Sequence, residues 1–358
     1  MMNIVKSGNQ FQIYGSEIST YSLLPRGTYD VCFNKMTGFF LKVHDDLEVN
    51  EKVYGNSPKR VKKILDGFRT STRNFGVILS GLKGAGKSMT VRLLAENSDY
   101  PVLLVKEPEE GLVSFLESIK QEIIVVFDEF EKSFKGEWSR GEIESPAQDM
   151  LLSLFDGIDG GKKLFVITCN DVGMLSNYFK NRPGRFHYHF KYGLPTNDEI
   201  KEYLEDNLKE EYKFNIKNIV RCTDVADLSY DCLRAIVFEL NSGYSLSETL
   251  NDLNIEIVSK RYTITIALSN GRSVSCTDRL TLFADDRFDF FECVNDVGYM
   301  FRGNARDAVK QDDGIISIPA SDIEVELDSD YTEKEKFEVV SCILQPEEKS
   351  LNKFQFLV

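Results

Sequence analysis

At 358 residues, with 42 % hydrophobic content and only 9 prolines, the chain is long enough for two or three packed domains and too apolar to be disordered. The formal charge of −14 gathers towards the carboxyl end, where residues 257–358 hold 12 Lys and Arg against 19 Asp and Glu, a balance that repels phosphate backbones. The opening stretch MMNIVKSGNQFQIYG has neither a signal-peptide core nor a transit-peptide bias, no apolar run approaches membrane-spanning length, and the 7 cysteines carry no C-x-x-C pair; the expectation is a cytoplasmic protein without membrane contact, disulfide framework or zinc site.

In chain order, the runs YDVCFNK and GFFLKVH flank a turn at Gly38 and make residues 1–55 a β-rich segment. The basic cluster Lys59-Arg60-Val61-Lys62-Lys63 follows; its spacing suits the exposed face of a helix with Val61, Ile64, Leu65 and Phe68 turned inward, a reading preferred over a nucleic-acid contact. Between residues 75 and 192, strand-like runs alternate with helical segments, as in a parallel sheet with crossover helices. Five strands are placed: FGVILSG (75–81), VLLVKE (102–107), IIVVFDE (123–129), KLFVITCN (163–170) and FHYHFKY (186–192). Leu194-Pro195 closes this α/β unit at 56–194, and PTNDEIKEYLEDNL, YDCLRAIVFEL and LSETLNDL predict a helical lid over 195–256. From Ile257 the period changes to two, with a hairpin turn at Asn270-Gly271, so 257–358 reads as an acidic C-terminal β-domain.

The first of the five strands runs straight into GLKGAGKS, where Gly81, Gly86, Lys87 and Ser88 satisfy the P-loop spacing and Gly84 lies between them. Strand, glycine loop and helix are the context the motif needs. The glycines let backbone N–H groups close around phosphate oxygens, the helix N-terminus adds its positive dipole end, Lys87 reaches the β- and γ-phosphates of ATP, and the Ser88 hydroxyl suits Mg²⁺. The third strand ends in Asp128-Glu129 at the carboxyl edge of the sheet. Asp128 suits holding Mg²⁺ through its water, and Glu129 can orient and polarise an attacking water. The fourth ends at Asn170, whose amide can hold that water.

A P-loop, an apolar strand ending in Asp-Glu, a strand ending in Asn and then RPGRF together resemble the AAA ATPases of the AAA+ superfamily, over residues from about 55 to 256. The resemblance implies an α/β fold built on a five-stranded parallel P-loop sheet with a helical lid, and ATP hydrolysis with Mg²⁺. It implies that Asn170 is the residue the family calls sensor 1, and that Arg182 and Arg185 are arginine fingers acting on a neighbour's nucleotide in a ring, a homohexamer by this reading. YDCLRAIV resembles the sensor 2 helix, making Arg234 a phosphate contact from the lid. Tyr54-Gly55 occupies the place where the family holds the adenine base. His187, Tyr188, His189 and Phe190 are read as packing.

Threading members of the family carry an aromatic, an apolar residue and Gly in the loop after the second strand. Here the loop reads KEPEEGLVSFL, so threading of an unfolded chain is not expected. Trp138 is expected to be a contact residue on the other pore-facing loop. The layout as a whole resembles compact AAA ATPases encoded by large bacteriophages. The leading expectation is an ATP-driven ring that remodels or repositions a protein partner. A DNA replication or recombination loader is the alternative, disfavoured by the acidic balance, and a monomeric P-loop kinase or nucleotide-gated scaffold is a third.

Overall fold

The computed structural model describes residues 3–347 except 8, 16–17, 46, 136, 140–141, 145, 157–160, 177–178, 180–185, 254, 256–257, 283, 312–314 and 329–336. Contacts divide the chain into two compact units, Met1–Gly193 and Leu194–Val358. No helix among the described residues is long and apolar enough to cross a membrane.

The first unit opens with a two-stranded hairpin, β1 (Asn3–Ser7) and β2 (Gln10–Tyr14), then β3 (Thr28–Asn34) and β4 (Gly38–His44). There follow α1 (Ser57–Thr70), β5 (Phe75–Gly81), α2 (Lys87–Glu96), β6 (Val102–Val105), α3 (Leu112–Ser118), β7 (Ile123–Phe127) and α4 (Phe130–Ser133). After the short strands β8 (Glu137–Ser139) and β9 (Glu142–Glu144) come α5 (Pro146–Met150), α6 (Leu152–Asp156), β10 (Lys163–Cys169) and β11 (Phe186–Tyr192). One sheet takes the order β11-β5-β10-β7-β6-β3-β4. Strands β7 and β10 are buried along their whole length, which is why they read as unbroken apolar runs: helices cover both faces. On one face α1 and α2 bury Val61, Ile64, Leu65, Phe68, Val91 and Leu94. On the other, Phe127, Phe130, Phe134, Phe155, Phe179 and Phe186 form an aromatic core.

All five expected strands are present and parallel. The sheet is nevertheless wider than the expected five, because β3 adds in parallel beside β6, with Thr28 opposite Val102, and β4 closes that edge antiparallel. A long-range tie seats this segment: the Gln121 side chain both accepts from Leu24 N (2.7 Å) and donates to Leu24 O (3.0 Å), while within it the Tyr29 hydroxyl donates to the Pro25 carbonyl at 2.9 Å. Strand pattern alone does not reveal which sheet edge a segment joins.

Two of the four basic residues of the cluster contact β11. Arg60 donates to the Lys191 carbonyl at 3.0 Å and lies 4.3 Å from the Tyr192 ring centroid, while Lys63 lies 4.9 Å from that of Tyr188. Cation–π contacts of this kind hold α1 against the aromatic edge strand β11. A register shift between Phe186 and Tyr188 interrupts the strict alternation expected there, so that the rings of His187 and Tyr188 both contact Phe75, at 4.9 and 5.5 Å between centroids. His189 is more than packing: its Nε2 lies 2.7 Å from Ser80 Oγ, on the strand that enters the P-loop.

The second unit begins with α7 (Asn197–Asn207), α8 (Ile216–Cys222), α9 (Tyr230–Asn241) and α10 (Leu246–Asp252). Helix α7 starts on a reciprocal capping box between Thr196 and Glu199, and α10 on one between Ser245 and Glu248. Eight strands follow: β12 (Lys260–Leu268), β13 (Ser273–Leu280), β14 (Arg287–Val294), β15 (Val297–Asn304), β16 (Val309–Lys310), β17 (Ile316–Ile318), β18 (Glu324–Leu327) and β19 (Val339–Pro346). They make sheets ordered β13-β12-β19-β17-β16 and β14-β15-β18 around one core that includes Tyr262, Ile264, Phe288, Tyr299 and Phe301. The Asn270-Gly271 hairpin forms as expected, with Gly271 at φ 82°. The β14–β15 hairpin was not foreseen; its signal is Asn295-Asp296, both at positive φ, the chemistry of a tight two-residue turn. Helical and β parts of this unit are tied together by Lys310 Nζ, 2.8 and 2.7 Å from the two carboxylate oxygens of Asp224, and by Lys260 Nζ donating to the Thr223 carbonyl.

Candidate nucleotide site

The loop between β5 and α2 is shaped by backbone geometry that only glycine meets at low cost. Gly84 and Gly86 take φ of 74° and 93°, the left-handed region. A Cβ on Gly81 would run into the Tyr192 carbonyl of β11. Gly86 is the N-cap of α2 and has no side chain with which to cap it, so the first N–H groups of that helix are available to an anion. One buried hydroxyl braces the loop from below: Thr90 Oγ1 donates to Ser57 Oγ (2.9 Å), approaches Tyr192 OH at 2.8 Å and reaches the Gly86 carbonyl at 3.2 Å.

Lys87 is buried, and its Nζ donates to the carbonyls of Gly81 (2.7 Å) and Leu82 (2.8 Å) and to Asn170 Oδ1 (2.9 Å). Desolvation lowers its pKa; neighbouring Cys169, Glu131, Asp128 and Glu129 act in the opposite direction. All three ammonium hydrogens are thus satisfied by the protein.

The acids arrive by strand register. Phe127, the last residue of β7, lies opposite Ile167 of β10, and Cys169 opposite Ser80 of β5, so Asp128, Thr168 and the start of the P-loop share one edge. Thr168 is a residue that motif reasoning missed. Its hydroxyl donates to Asp128 Oδ1 at 2.6 Å and accepts from the Glu129 backbone N at 2.9 Å. That second bond holds Glu129 at φ 46°, ψ 49°, a left-handed conformation a glutamate adopts only at a cost. The Glu129 carboxylate pairs with Lys132 Nζ at 2.6 Å; this hydrogen bond, with help from Asn170 and Lys83, holds its pKa below the usual carboxylate range.

Asn170 meets Lys87 on one side and, on the other, Glu131, also missed from the sequence. Both the backbone N (3.0 Å) and Nδ2 (2.9 Å) of Asn170 donate to Glu131 Oε1. The structure therefore brings together Gly81, Gly84, Gly86, Lys87, Asp128, Glu129 and Asn170. Ser88 stands in the first turn of α2 with an exposed side chain. Ser88 and Asp128 are hard oxygen donors of the kind Mg²⁺ takes, and among the described residues no three His, Cys, Asp or Glu gather into a metal cage. The hydroxyl of Ser88 and the carboxylate of Asp128 supply the oxygen chemistry this ion takes, so the residues fit the group.

Tyr54 is half-buried just before α1, with Lys52 Nζ 5.1 Å from its ring centroid, and Gly55 takes φ 73°. Arg234 is exposed on α9 of the second unit. Arg182 and Arg185 lie outside the described residues. Trp138 is on β8, paired in register with Ile143 of β9, and its side chain also lies outside the description.

Residues 77–194 match the sequence model of AAA, the ATPase family associated with various cellular activities. The chain is 29 % identical over 197 residues to the cell division cycle protein 48 homologue of Archaeoglobus fulgidus, covering 51 % of this chain and 26 % of the relative. It is 30 % identical over 223 residues to ATPase family gene 2 protein of Saccharomyces cerevisiae, covering 53 % and 28 %. To the probable mitochondrial chaperone bcs1 of Schizosaccharomyces pombe it is 24 % identical over 136 residues, covering 36 % and 30 %. The chain thus spans less than a third of the length of each of these relatives. Among solved structures, a Thermotoga maritima RuvB mutant aligns with a TM-score of 0.42 at 18 % identity, over 57 % of this chain and 72 % of that one.

Proposed function

We propose that residues 77–194, which match the AAA model, form an ATP-hydrolysing domain, and that this chain binds ATP with Mg²⁺ in the glycine loop and hydrolyses it as one subunit of a ring that repositions a protein partner. The observation that carries the reading is the meeting of Lys87, Asp128, Glu129 and Asn170 at one sheet edge, within a hydrogen-bonded network that also includes Thr168 and Glu131. When bound, Mg²⁺ neutralises phosphate charge, held by Ser88 and by the Asp128 carboxylate through water. Lys87 exchanges acceptors within the protein, Asn170 Oδ1 among them, for the β- and γ-phosphate oxygens. Glu129 exchanges Lys132 for a water and polarises it towards the γ-phosphate, with Asn170 as second contact to that water.

The finer assignments belong to the same proposal. Gly81, Gly84 and Gly86 admit the phosphates, Tyr54-Gly55 borders the adenine, and Arg234 approaches the phosphates from the lid. Arg182 and Arg185 act in trans on a neighbour's γ-phosphate, in a homohexamer. The use of Arg60 and Lys63 inside the fold, together with the acidic carboxyl end, favours a protein partner over DNA. Phosphate release and equilibrium ATP binding test the reading together. Lys87→Ala is expected to abolish binding and Glu129→Gln to retain it while suppressing turnover. Equal loss of affinity in both variants would remove the division of roles.

A further inference from the structure

We propose that Glu131 is a positioning residue that fixes which end of the Asn170 amide faces the nucleotide. The inference rests on reading this sheet edge as the ATP site. An asparagine amide has a donating and an accepting end, and its partners decide which is which. Here the partners leave no choice. Glu131 Oε1, a carboxylate oxygen that only accepts, takes both Nδ2 (2.9 Å) and the backbone N (3.0 Å) of Asn170. Lys87 Nζ, an ammonium that only donates, takes Oδ1 at 2.9 Å. Glu129 is influenced in the same sense, since the Asn170 side chain is one of the hydrogen-bonding groups that hold its pKa down. The NH₂ end is thus committed to acids and the carbonyl end points at the phosphate-binding lysine.

The consequence appears when phosphate arrives. Lys87 has three donors and all three are spent, on Gly81 O, Leu82 O and Asn170 Oδ1. To bind phosphate it must release acceptors, and releasing Asn170 frees a carbonyl while Nδ2 stays on Glu131. A free carbonyl accepts a hydrogen from water and repels phosphate oxygens. Asn170 therefore acts on the attacking water and is not a donor to the γ-phosphate. Glu131 secures this by acceptance alone: its Oε1 does the work, and its buried Oε2 has no hydrogen-bond partner among the described residues.

Glu131→Gln and Glu131→Ala separate the possibilities. Gln keeps an acceptor in the Oε1 position and is expected to turn over ATP within about threefold of the unaltered chain. Ala lets the amide rotate and donate to phosphate oxygens, so turnover should fall about 10- to 100-fold, the scale of a misplaced reacting group, with ATP affinity unchanged or tighter. If Gln is as slow as Ala, the charge itself is used and the proposal is wrong; if Ala matches the unaltered chain in kcat and KM, it is wrong too. A second readout needs no hydrolysis. The Asn170 side-chain amide resonances, identified by their disappearance in Asn170→Asp, should persist at the same shifts in folded Glu131→Gln and move in Glu131→Ala. Persistence in both variants overturns the assignment. An unaltered chain that binds no ATP, yet gives the expected resonance pattern, would instead overturn the nucleotide reading and leave the Glu131 assignment standing.

Discussion

Thr168 serves two neighbours with one hydroxyl: it donates to Asp128 and accepts from the backbone of Glu129. Thr168→Val keeps the shape and removes both bonds. It leaves an N–H and a carboxylate oxygen with less satisfaction, at about 1–3 kcal/mol of stability, and frees Glu129 from its left-handed conformation. Turnover is therefore expected to fall while ATP affinity persists, and retention of full kcat would show that Glu129 holds its position unaided. Residues of this kind mark the limit of what was legible. Lys87, Asp128 and Glu129 announce themselves because their chemistry is written in local spacing. Thr168 and Glu131 acquire their roles only when β7 and β10 fix their register and the chain turns left-handed at Glu129, and neither condition is visible in a motif.

Among the elements, β11 joins the nucleotide loop to the sheet edge, and His189 makes it sensitive to pH. Burial pushes the imidazole pKa below its usual 6.5, with Lys191 adding to the effect. The unfolded chain takes up this proton as pH falls below about 6.5, whereas the folded chain resists until lower pH, so the contribution is present above that value and is lost as pH falls through the folded pKa. Thermal unfolding followed from about pH 7 to about pH 5 should show a declining Tm, and His189→Gln should decline less. Superimposable curves would mean that His189 does not carry the effect. The five parallel strands, the α1 face and the Asn270-Gly271 hairpin were legible because each has a clean period or turn signal. The bulge at His187 was not, since an interrupted ladder looks like an ordinary alternating strand until its partner β5 is known. The β14–β15 turn was overlooked because Asn-Asp is a weaker cue than Asn-Gly.

For the whole molecule, the proposed ring makes hydrolysis a property of neighbours. Arg182→Ala and Arg185→Ala should each lower turnover steeply, by up to about 10³-fold or more if they act as fingers, while ATP binding survives. Specific activity should rise with protein concentration; a dilute chain as active as a concentrated one would exclude action in trans. The loop after β6 presents exposed Glu107 and Glu110, with Glu109 half-buried, where a threading motor grips with an aromatic, so a folded fluorescent substrate should keep its signal in the presence of ATP. At this scale the sequence was informative about the α/β core and its helical and β-rich neighbours. It was silent on how the amino-terminal strands attach, because sheet order is a three-dimensional property that no linear pattern encodes.

That attachment changes what counts as the smallest heritable piece of this protein. Strand β6 is short and apolar, Val-Leu-Leu-Val, and β3 covers its outer edge. A gene fragment beginning at residue 56 would retain the glycine loop, Asp128-Glu129 and Asn170 and yet present β6 as a bare sheet edge, stripped of Tyr29, Val31, Phe39 and Leu41 from the core beneath it. Open apolar edges recruit other chains. Recombination or gene fusion that kept only the motif-bearing stretch would therefore pass on a chemistry without a soluble carrier, so the amino-terminal strands and the glycine loop are expected to travel through evolution together.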